Sequence, residues 1–275
     1  MPMNYLRPTS LAAALAALGS GARVLAGGTD LYPAAGTRLA GPVVDLMALP
    51  GIGGLVLGPQ GLRIGAGTSW TAVAEAALPP ACAALQQAAR MVGGRQIQNA
   101  GTVGGNLCNA SPAADGVPPL LALDAEMELA CAAGTRRLPL GGFLTGVRRT
   151  ALRPGEVLLA VHVPPSALCG RSAFEKLGAR AYLVISIAMV AVRLEILGSQ
   201  ITAAAVAVGA CSPVARRLAE VEAALCGPVA GAAGRVSAQA VAAALDPIDD
   251  IRATAGYRRH AAAELTRRAV ERALA

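Results

Sequence analysis

The stretch Arg23-Val24-Leu25-Ala26-Gly27-Gly28-Thr29-Asp30-Leu31 runs a short apolar segment directly into a glycine pair, a hydroxyl and a carboxylate. Its first four residues read as a buried strand and the next four as the turn that ends it. A glycine pair lets main-chain N–H groups approach an anion closely and form the concave arrangements that take phosphate oxygens. The theme returns far along the chain as Gly101-Thr102-Val103-Gly104-Gly105-Asn106-Leu107. Thr29, Thr102 and Asn106 add side-chain donors. Two such loops on two units can grip a pyrophosphate from both sides. Neither loop is a Walker A motif, and neither is the G-x-G-x-x-G fingerprint of a dinucleotide-binding βαβ unit. Each alone fits an ordinary turn; together they favour a phosphate-bearing cofactor.

Working outward, the pattern predicts a helix over 11–18, capped by Ser10, and short strands over 23–26 and 43–46. Residues 51–61 are rich in glycine and proline, and Leu62-Arg63-Ile64 opens a second unit. There Gly65-Ala66-Gly67-Thr68 precedes a helix beginning near Ser69 or Thr71, and a helix over 81–91 stops at Gly93-Gly94. Residues 99–119 hold so much Gly, Pro and Asn that they read as one long irregular loop, a length usually tied to function. Strands follow over 126–131 and 157–163. At Pro164-Pro165 to Gly170 the texture changes to strands over 186–196 and 201–208 and helices over 216–225, 238–245 and 257–274. The division is therefore 1–56 and 57–166 as two α/β subdomains, then 170–275 as an α+β domain with helices at one side of an antiparallel sheet.

With 275 residues, 54% apolar and only 15% charged, the chain folds rather than staying disordered. Its longest apolar stretch, 181–192, falls short of the ~18–20 residues of a membrane span. No basic segment leads into an apolar one at the start, so a cytoplasmic location is expected. The net charge of +7 sits in dispersed arginine pairs, among them Arg148-Arg149, with 3% aromatics. That is not the basic, aromatic-interleaved surface of a nucleic-acid binder; a solvated surface or a docking face for an acidic partner accounts for it. Cys82, Cys108, Cys131, Cys169, Cys211 and Cys226 show no metal-ligand spacing and read as reduced, mostly buried thiols. His162 falls in an apolar strand as a core or edge residue, His260 in a solvated helix, and neither has a nucleophile or metal partner in sight. Trp70 and Tyr182 are the aromatics able to stack on a ring, with Tyr182 favoured; each also fits a core role.

The run 26–31, then 99–107, then Ala110-Ser111-Pro112-Ala113-Ala114-Asp115, resembles the FAD subunit of the xanthine dehydrogenase and carbon monoxide dehydrogenase family. So do the opening Asn4-Tyr5, Gly155-Glu156-Val157-Leu158-Leu159, Ala173-Phe174-Glu175-Lys176-Leu177-Gly178 and Asp249-Asp250-Ile251-Arg252-Ala253 with Tyr257-Arg258-Arg259, in the family's order over nearly the whole chain. The resemblance implies a vanillyl-alcohol-oxidase-like FAD-binding fold, two subdomains clasping the cofactor and a C-terminal domain covering the flavin. It implies that Val24, Leu25, Ala26, Gly27, Gly28, Thr29, Asp30 and Leu31, with Thr102, Val103, Gly104, Gly105 and Asn106, hold the FAD pyrophosphate and its surroundings. Val92 and Leu158 would pack near the ring, Asp115 would bind a polar part of FAD, and Lys176, in competition with Glu175, would approach the flavin. Asp115 alternatively fits a turn cap, and Asp30 a helix cap.

The family's role implies electrons delivered by [2Fe-2S] clusters in a small partner subunit. They come from a molybdenum-cofactor subunit and pass through FAD to NAD+, oxygen or another acceptor. No metal ligand of this chain is expected, and two copies of each of three subunits are implied. A stand-alone flavin oxidoreductase of the same fold, with acid–base side chains over the ring, is the second reading. A structural subunit that has lost FAD is the third.

Overall fold

Where the apolar run 23–25 meets its glycine pair, the chain leaves a small parallel sheet. The computed structural model describes residues 5–36 and 39–275; Asn4 of the opening motif lies outside them. β1 (Tyr5–Leu6), α1 (Leu11–Gly19), β2 (Arg23–Leu25), α2 (Leu31–Ala34) and β3 (Val43–Asp45) form the first unit, with strand order β1-β3-β2 and all pairs parallel. α1 begins as expected at Ser10, whose Oγ accepts from the Ala13 N–H. The 26–30 turn therefore lies at the carboxyl edge of a parallel sheet, the usual place for a ligand in such layers.

The second unit is a five-stranded antiparallel sheet with helices packed on it. β4 (Leu55–Gly58) and β5 (Gly61–Gly65) make a hairpin inside the stretch that the sequence presents as turn. Its strand character is hidden because glycines flank a run of only four residues. Gly61 has φ +97°, and a Cβ there would stand 2.0 Å from the Val163 carbonyl oxygen, so only glycine closes the turn. α3 (Trp70–Glu75) starts at the cap Ser69, and α4 (Ala83–Met91) ends before Gly93.

Residues 99–119 are not one irregular loop. α5 (Arg95–Ala100), α6 (Val103–Asn109) and α7 (Val117–Ala122) occupy much of the segment. Composition misleads here because tertiary contacts override low helix propensity. Thr102 caps α6, its Oγ1 accepting from the Gly105 N–H at 3.0 Å. Gly104 lies so close to Ala66 that a Cβ would fall 2.6 Å from the Ala66 Cβ. Pro118 and Pro119 lie in the first turn of α7, where no intrahelical N–H is needed. Next come β6 (Glu126–Cys131), β7 (Gly134–Pro139), α8 (Leu140–Phe143), the hairpin β8 (Leu144–Gly146) and β9 (Arg149–Thr150), and β10 (Val157–Val163). The sheet order is β4-β5-β10-β6-β7.

The C-terminal part is an antiparallel sheet of β11 (Arg171–Leu177), β12 (Ala188–Leu197), β13 (Gln200–Gly209) and β14 (Arg216–Arg217), followed by α9 (Ala219–Leu225), β15 (Gly227–Pro228), α10 (Ala238–Ala243) and α11 (Ala255–Leu274). The predicted helix over 216–225 gives up its first residues to β14, whose Arg217 reaches both Asp124 and Glu222. β12 is apolar on both faces over its first five residues, Ala188-Met189-Val190-Ala191-Val192, because both faces are covered. Val190, Val192 and Leu194 join the core under α9–α11, while Met189 and Ala191 join Ala84, Ala88 and Ala122 from α4 and α7. Arg193 is buried on that second face and donates to the Ala122 carbonyl and to Asp124. One sheet is thus shared between its own helices and those of the second unit.

The expectation of mostly buried thiols fails: Cys82 and Cys211 are buried, Cys131 is half-buried, and Cys108, Cys169 and Cys226 are exposed. Each of the exposed three borders a loop, a helix end or a cleft rather than a sheet interior. Among the described residues no helix is long and apolar enough to cross a membrane.

Candidate cofactor site

A cleft of about 440 Å³ opens between the first and second units, within the range of small-molecule and cofactor sites. One wall is the 26–31 turn and the other is α6 with the Ala66-Gly67 turn after β5; Val157 and Leu158 of β10 close one end. The walls meet at Gly27, where a Cβ would stand 1.8 Å from the Ala100 carbonyl oxygen. Any other residue there would drive the two units apart.

Main-chain donors are unevenly divided between the walls. Among the described residues, the N–H groups of Gly27, Gly28, Thr29 and Asp30 have no acceptor. On α6 the amides are already engaged: Val103 donates to Thr68 O, Gly104 to Ala66 O at 2.7 Å, and Gly105 to Thr102 Oγ1. Both glycine loops line the cleft, but in the second the amides of Val103, Gly104 and Gly105 are engaged within the protein. The second contributes side chains and space. Asn106 Oδ1 is buried with no hydrogen-bond partner. The atom is closed off from solvent beside Gly116, so it is the rest of the Asn106 side chain that borders the cleft. Gly105 presents a surface without a side chain, its nearest obstacle to a Cβ being Thr102 Oγ1.

Of the residues singled out in the sequence, Val24, Ala26, Gly27, Gly28, Thr29, Asp30, Leu31, Val92, Thr102, Gly104, Gly105, Asn106 and Leu158 line the cleft. Leu25 and Val103 are buried behind its walls. Asp115 and Lys176 do not line it but pair with each other at the junction with the C-terminal sheet, Lys176 Nζ lying 2.6 Å from Asp115 Oδ2. Ser186 Oγ donates to Asp115 Oδ1 at 2.7 Å. Burial pushes the Asp115 carboxyl up, opposed by the Lys176 charge and by the hydrogen bonds from Lys176 and Ser186. The turn before Asp115 is held instead by Ser111, whose Oγ accepts from Ala113. Asp30 stands at the N-cap position of α2 but makes no side-chain cap bond. Strand alternation sends the two side chains to opposite faces of β11: Glu175 turns to Arg272 of α11, while Lys176 faces Asp115, and neither lines the cleft.

Several lining residues went unremarked in the sequence. Ala66, Gly67 and Gly101 had a signal, since Gly65-Ala66-Gly67-Thr68 is a third run of small residues after a strand. Leu46, Ile52, Ile97 and Leu152 had none, being ordinary core residues until the cleft is seen. Trp70 is fully buried and reaches the cleft floor, whereas Tyr182 is exposed on the segment between β11 and β12. His162 pairs with Glu128 on the second sheet, and His260 is exposed, both away from the cleft.

The titratable side chains of the cleft are few. Glu156 is clamped by the Arg136 guanidinium at 2.7 and 2.8 Å and by the Arg153 N–H, which together hold its carboxyl down at about 2. Cys108 lines the cleft and is exposed. Asp30 completes the set.

A cleft lined by a glycine turn with unengaged amides fits a nucleotide cofactor, and the family comparisons point the same way. Residues 1–166 match the FAD binding domain in molybdopterin dehydrogenase, and residues 172–273 match the CO dehydrogenase flavoprotein C-terminal domain. The chain belongs to this family of FAD-binding oxidoreductase subunits. It is 32% identical over 279 residues to the carbon monoxide dehydrogenase medium chain of Afipia carboxidovorans, covering 99% of this chain and 96% of that one. It is 37% identical over 173 residues to the xanthine dehydrogenase FAD-binding subunit of Escherichia coli, a match that spans 59% of this chain and only 58% of that subunit. The fold superposes on a chain of the reconstituted CO dehydrogenase from Oligotropha carboxidovorans with a TM-score of 0.90 at 30% identity, covering 100% of this chain and 98% of that one.

Two predictions follow from the ion pairs. Lys176→Met leaves the Asp115 carboxylate buried without its cation and should lower unfolding free energy by about 3–5 kcal/mol; adding Asp115→Asn should restore most of it, read by urea denaturation. Glu156, with a folded value below its ordinary 4.5, stabilises fully above that pH and loses its contribution as the pH falls towards 2. The urea midpoint of the native chain should therefore drop over this window more steeply than that of Glu156→Gln.

Proposed function

We propose that this chain is the FAD-carrying electron-transfer subunit of a molybdenum hydroxylase, fed by [2Fe-2S] clusters in a partner and discharging to NAD+, oxygen or another acceptor. The observation that carries the reading is the row of amides without acceptors at residues 27–30, in a turn that lines the cleft at the carboxyl edge of a parallel sheet. Main-chain N–H groups so arranged suit a pyrophosphate. When bound, the flavin supplies the redox chemistry, exchanging one or two electrons. The residues of this chain bind it, orient it and keep water from it. Residues 27–30 offer donors, Thr102 and Asn106 fix position from the opposite wall, and Val92, Val157 and Leu158 give the apolar end against which a ring can lie. Lys176 and Asp115 hold the C-terminal sheet at the junction beside Val92, since Lys176 Nζ also reaches Met91 O. The expected break between 57–166 and 170–275 is supported by the gap between the family matches, whereas sheet membership favours a first boundary just before Leu55 rather than at 56/57, which falls inside β4.

The cleft favours electron transfer over a stand-alone flavin oxidoreductase. Such an enzyme needs a side chain that exchanges protons near neutral pH. Among the described residues no histidine, lysine or tyrosine lines the cleft, and Glu156 is held as a carboxylate by Arg136. Molybdenum and iron–sulfur partners are part of the proposal, drawn from relatives whose names are those of multi-subunit dehydrogenases.

The test is a visible absorption spectrum of the purified chain with release and identification of its cofactor. Flavin bands near roughly 370 and 450 nm, with FAD released on denaturation, are expected. A colourless chain that stays colourless with added FAD, alone and together with its partner subunits, contradicts the reading.

A further inference from the structure

The cleft presents an electrostatic difficulty. The bound group is taken here to be FAD, on the reading above, and its pyrophosphate is a dianion. Yet the acidic side chains lining the cleft are Asp30 and Glu156, and among the described residues no lysine or arginine lines it. Glu156 is answered by Arg136. Asp30 stands in the very turn whose amides have no acceptor, so its carboxylate faces the place an anion would take.

Asp30 is not left alone, however. Its Oδ1 accepts from Asn109 Nδ2 at 2.7 Å, and the Arg148 guanidinium donates to Asn109 Oδ1 and to the Asn109 carbonyl. The amide of Asn109 thus stands between a cation and a carboxylate with both ends engaged, and this fixes which end is which. Arg148 holds a strained position to do so. It lies at the two-residue tip between β8 and β9 with φ +56°, a conformation that suits glycine or asparagine. Its main-chain N–H donates to the Ala110 carbonyl at 2.9 Å, and Ala110 is itself left-handed at the end of α6. A glycine would make the same turn without strain. An observed backbone outlier beside a ligand cleft is grounds for a functional assignment.

We propose that Arg148 is the charge-compensating residue of the cleft: acting through Asn109, it offsets Asp30 so that a pyrophosphate can lie on the amides of residues 27–30. It is a positioning residue and does not touch the flavin ring. In the open cleft water screens Asp30, which is exposed. Cofactor binding displaces that water, and the carboxylate–phosphate repulsion then grows as the local dielectric falls. The Arg148–Asn109–Asp30 chain limits that repulsion by polarising and orienting the Asp30 charge away from the amides.

The experiment is FAD titration of the deflavinated full chain, followed by flavin fluorescence, for the native protein, Arg148→Gln, Asp30→Asn and the double variant, with folding checked by circular dichroism. Arg148→Gln should weaken FAD binding roughly tenfold, and more at low salt than at high salt. The double variant should bind FAD nearly as well as Asp30→Asn alone, since without the Asp30 charge Arg148 has nothing to offset. Asn109→Ala cuts the relay while keeping the hairpin tip, and should reproduce the loss and its relief by Asp30→Asn. Native-like affinity in Arg148→Gln and Asn109→Ala overturns the proposal, and so does a loss that Asp30→Asn fails to relieve. If Arg148→Gln does not fold, the Asn109→Ala pair decides alone. A native chain that binds no FAD, in contrast, sinks the cofactor reading itself.

Discussion

The close approach of the Gly27 main chain to the Ala100 carbonyl fixes the geometry on which the rest of the site depends. With a hypothetical Cβ at 1.8 Å from that oxygen, nothing larger than hydrogen fits. The contact joins a parallel three-stranded sheet to a separate antiparallel one and brings the turn after β2 against the helices that follow α4. It determines which amides face the cleft. Those of residues 27–30 are left without acceptors, while α6 is drawn so close to Ala66 that its first amides are used in holding it there. The two glycine-rich stretches look equivalent in sequence, yet one supplies donors and the other supplies proximity.

Charge completes the arrangement. The molecule carries a net charge of +7, but among the described residues its cations stand around the cleft rather than in it. Arg136 clamps Glu156, Arg148 reaches Asp30 through an asparagine, and Lys176 meets Asp115 at the seam with the C-terminal sheet. These pairings leave the cleft wall to main-chain, apolar and small polar groups beside Asp30 and Glu156. On the proposed reading, the main-chain dipoles of that wall would meet an anion without reorganising when the charge of a cofactor changes. The C-terminal sheet is held by a second set of ion pairs, in which Arg193 and Arg217 both reach Asp124, itself left-handed at φ +49°. The seam is thus pinned on one side by Asp115 and on the other by Asp124.

Much of this was legible in the sequence because it rests on local signals. The strand ending at Gly27-Gly28, the caps Ser10 and Ser69, and the change of texture after Pro164 all follow from residue types and spacing. The order of motifs identified the family, and the family supplied the fold. What was not legible depends on contacts between distant segments. α6 is hidden because glycines at 104 and 105 lower helix propensity, and its compensation, Ala66, lies in another strand end. The choice between Glu175 and Lys176 waits on knowing which face of β11 meets α11. The hairpin β4–β5 is masked by the glycines that make it possible. Arg148-Arg149 reads as one more solvated basic pair; only the fold shows that one member bends into a strained turn to reach Asn109.

The central claim is that the amides of residues 27–30, and not those of α6, receive the cofactor's phosphates. Hydrogen–deuterium exchange of the chain with and without FAD, read at the level of single amides, measures this directly. Strong slowing on FAD addition at Gly27, Gly28, Thr29 and Asp30, with little change at Val103, Gly104 and Gly105, is the predicted result. Slowing confined to Gly104 and Gly105, with residues 27–30 unaltered, would contradict it.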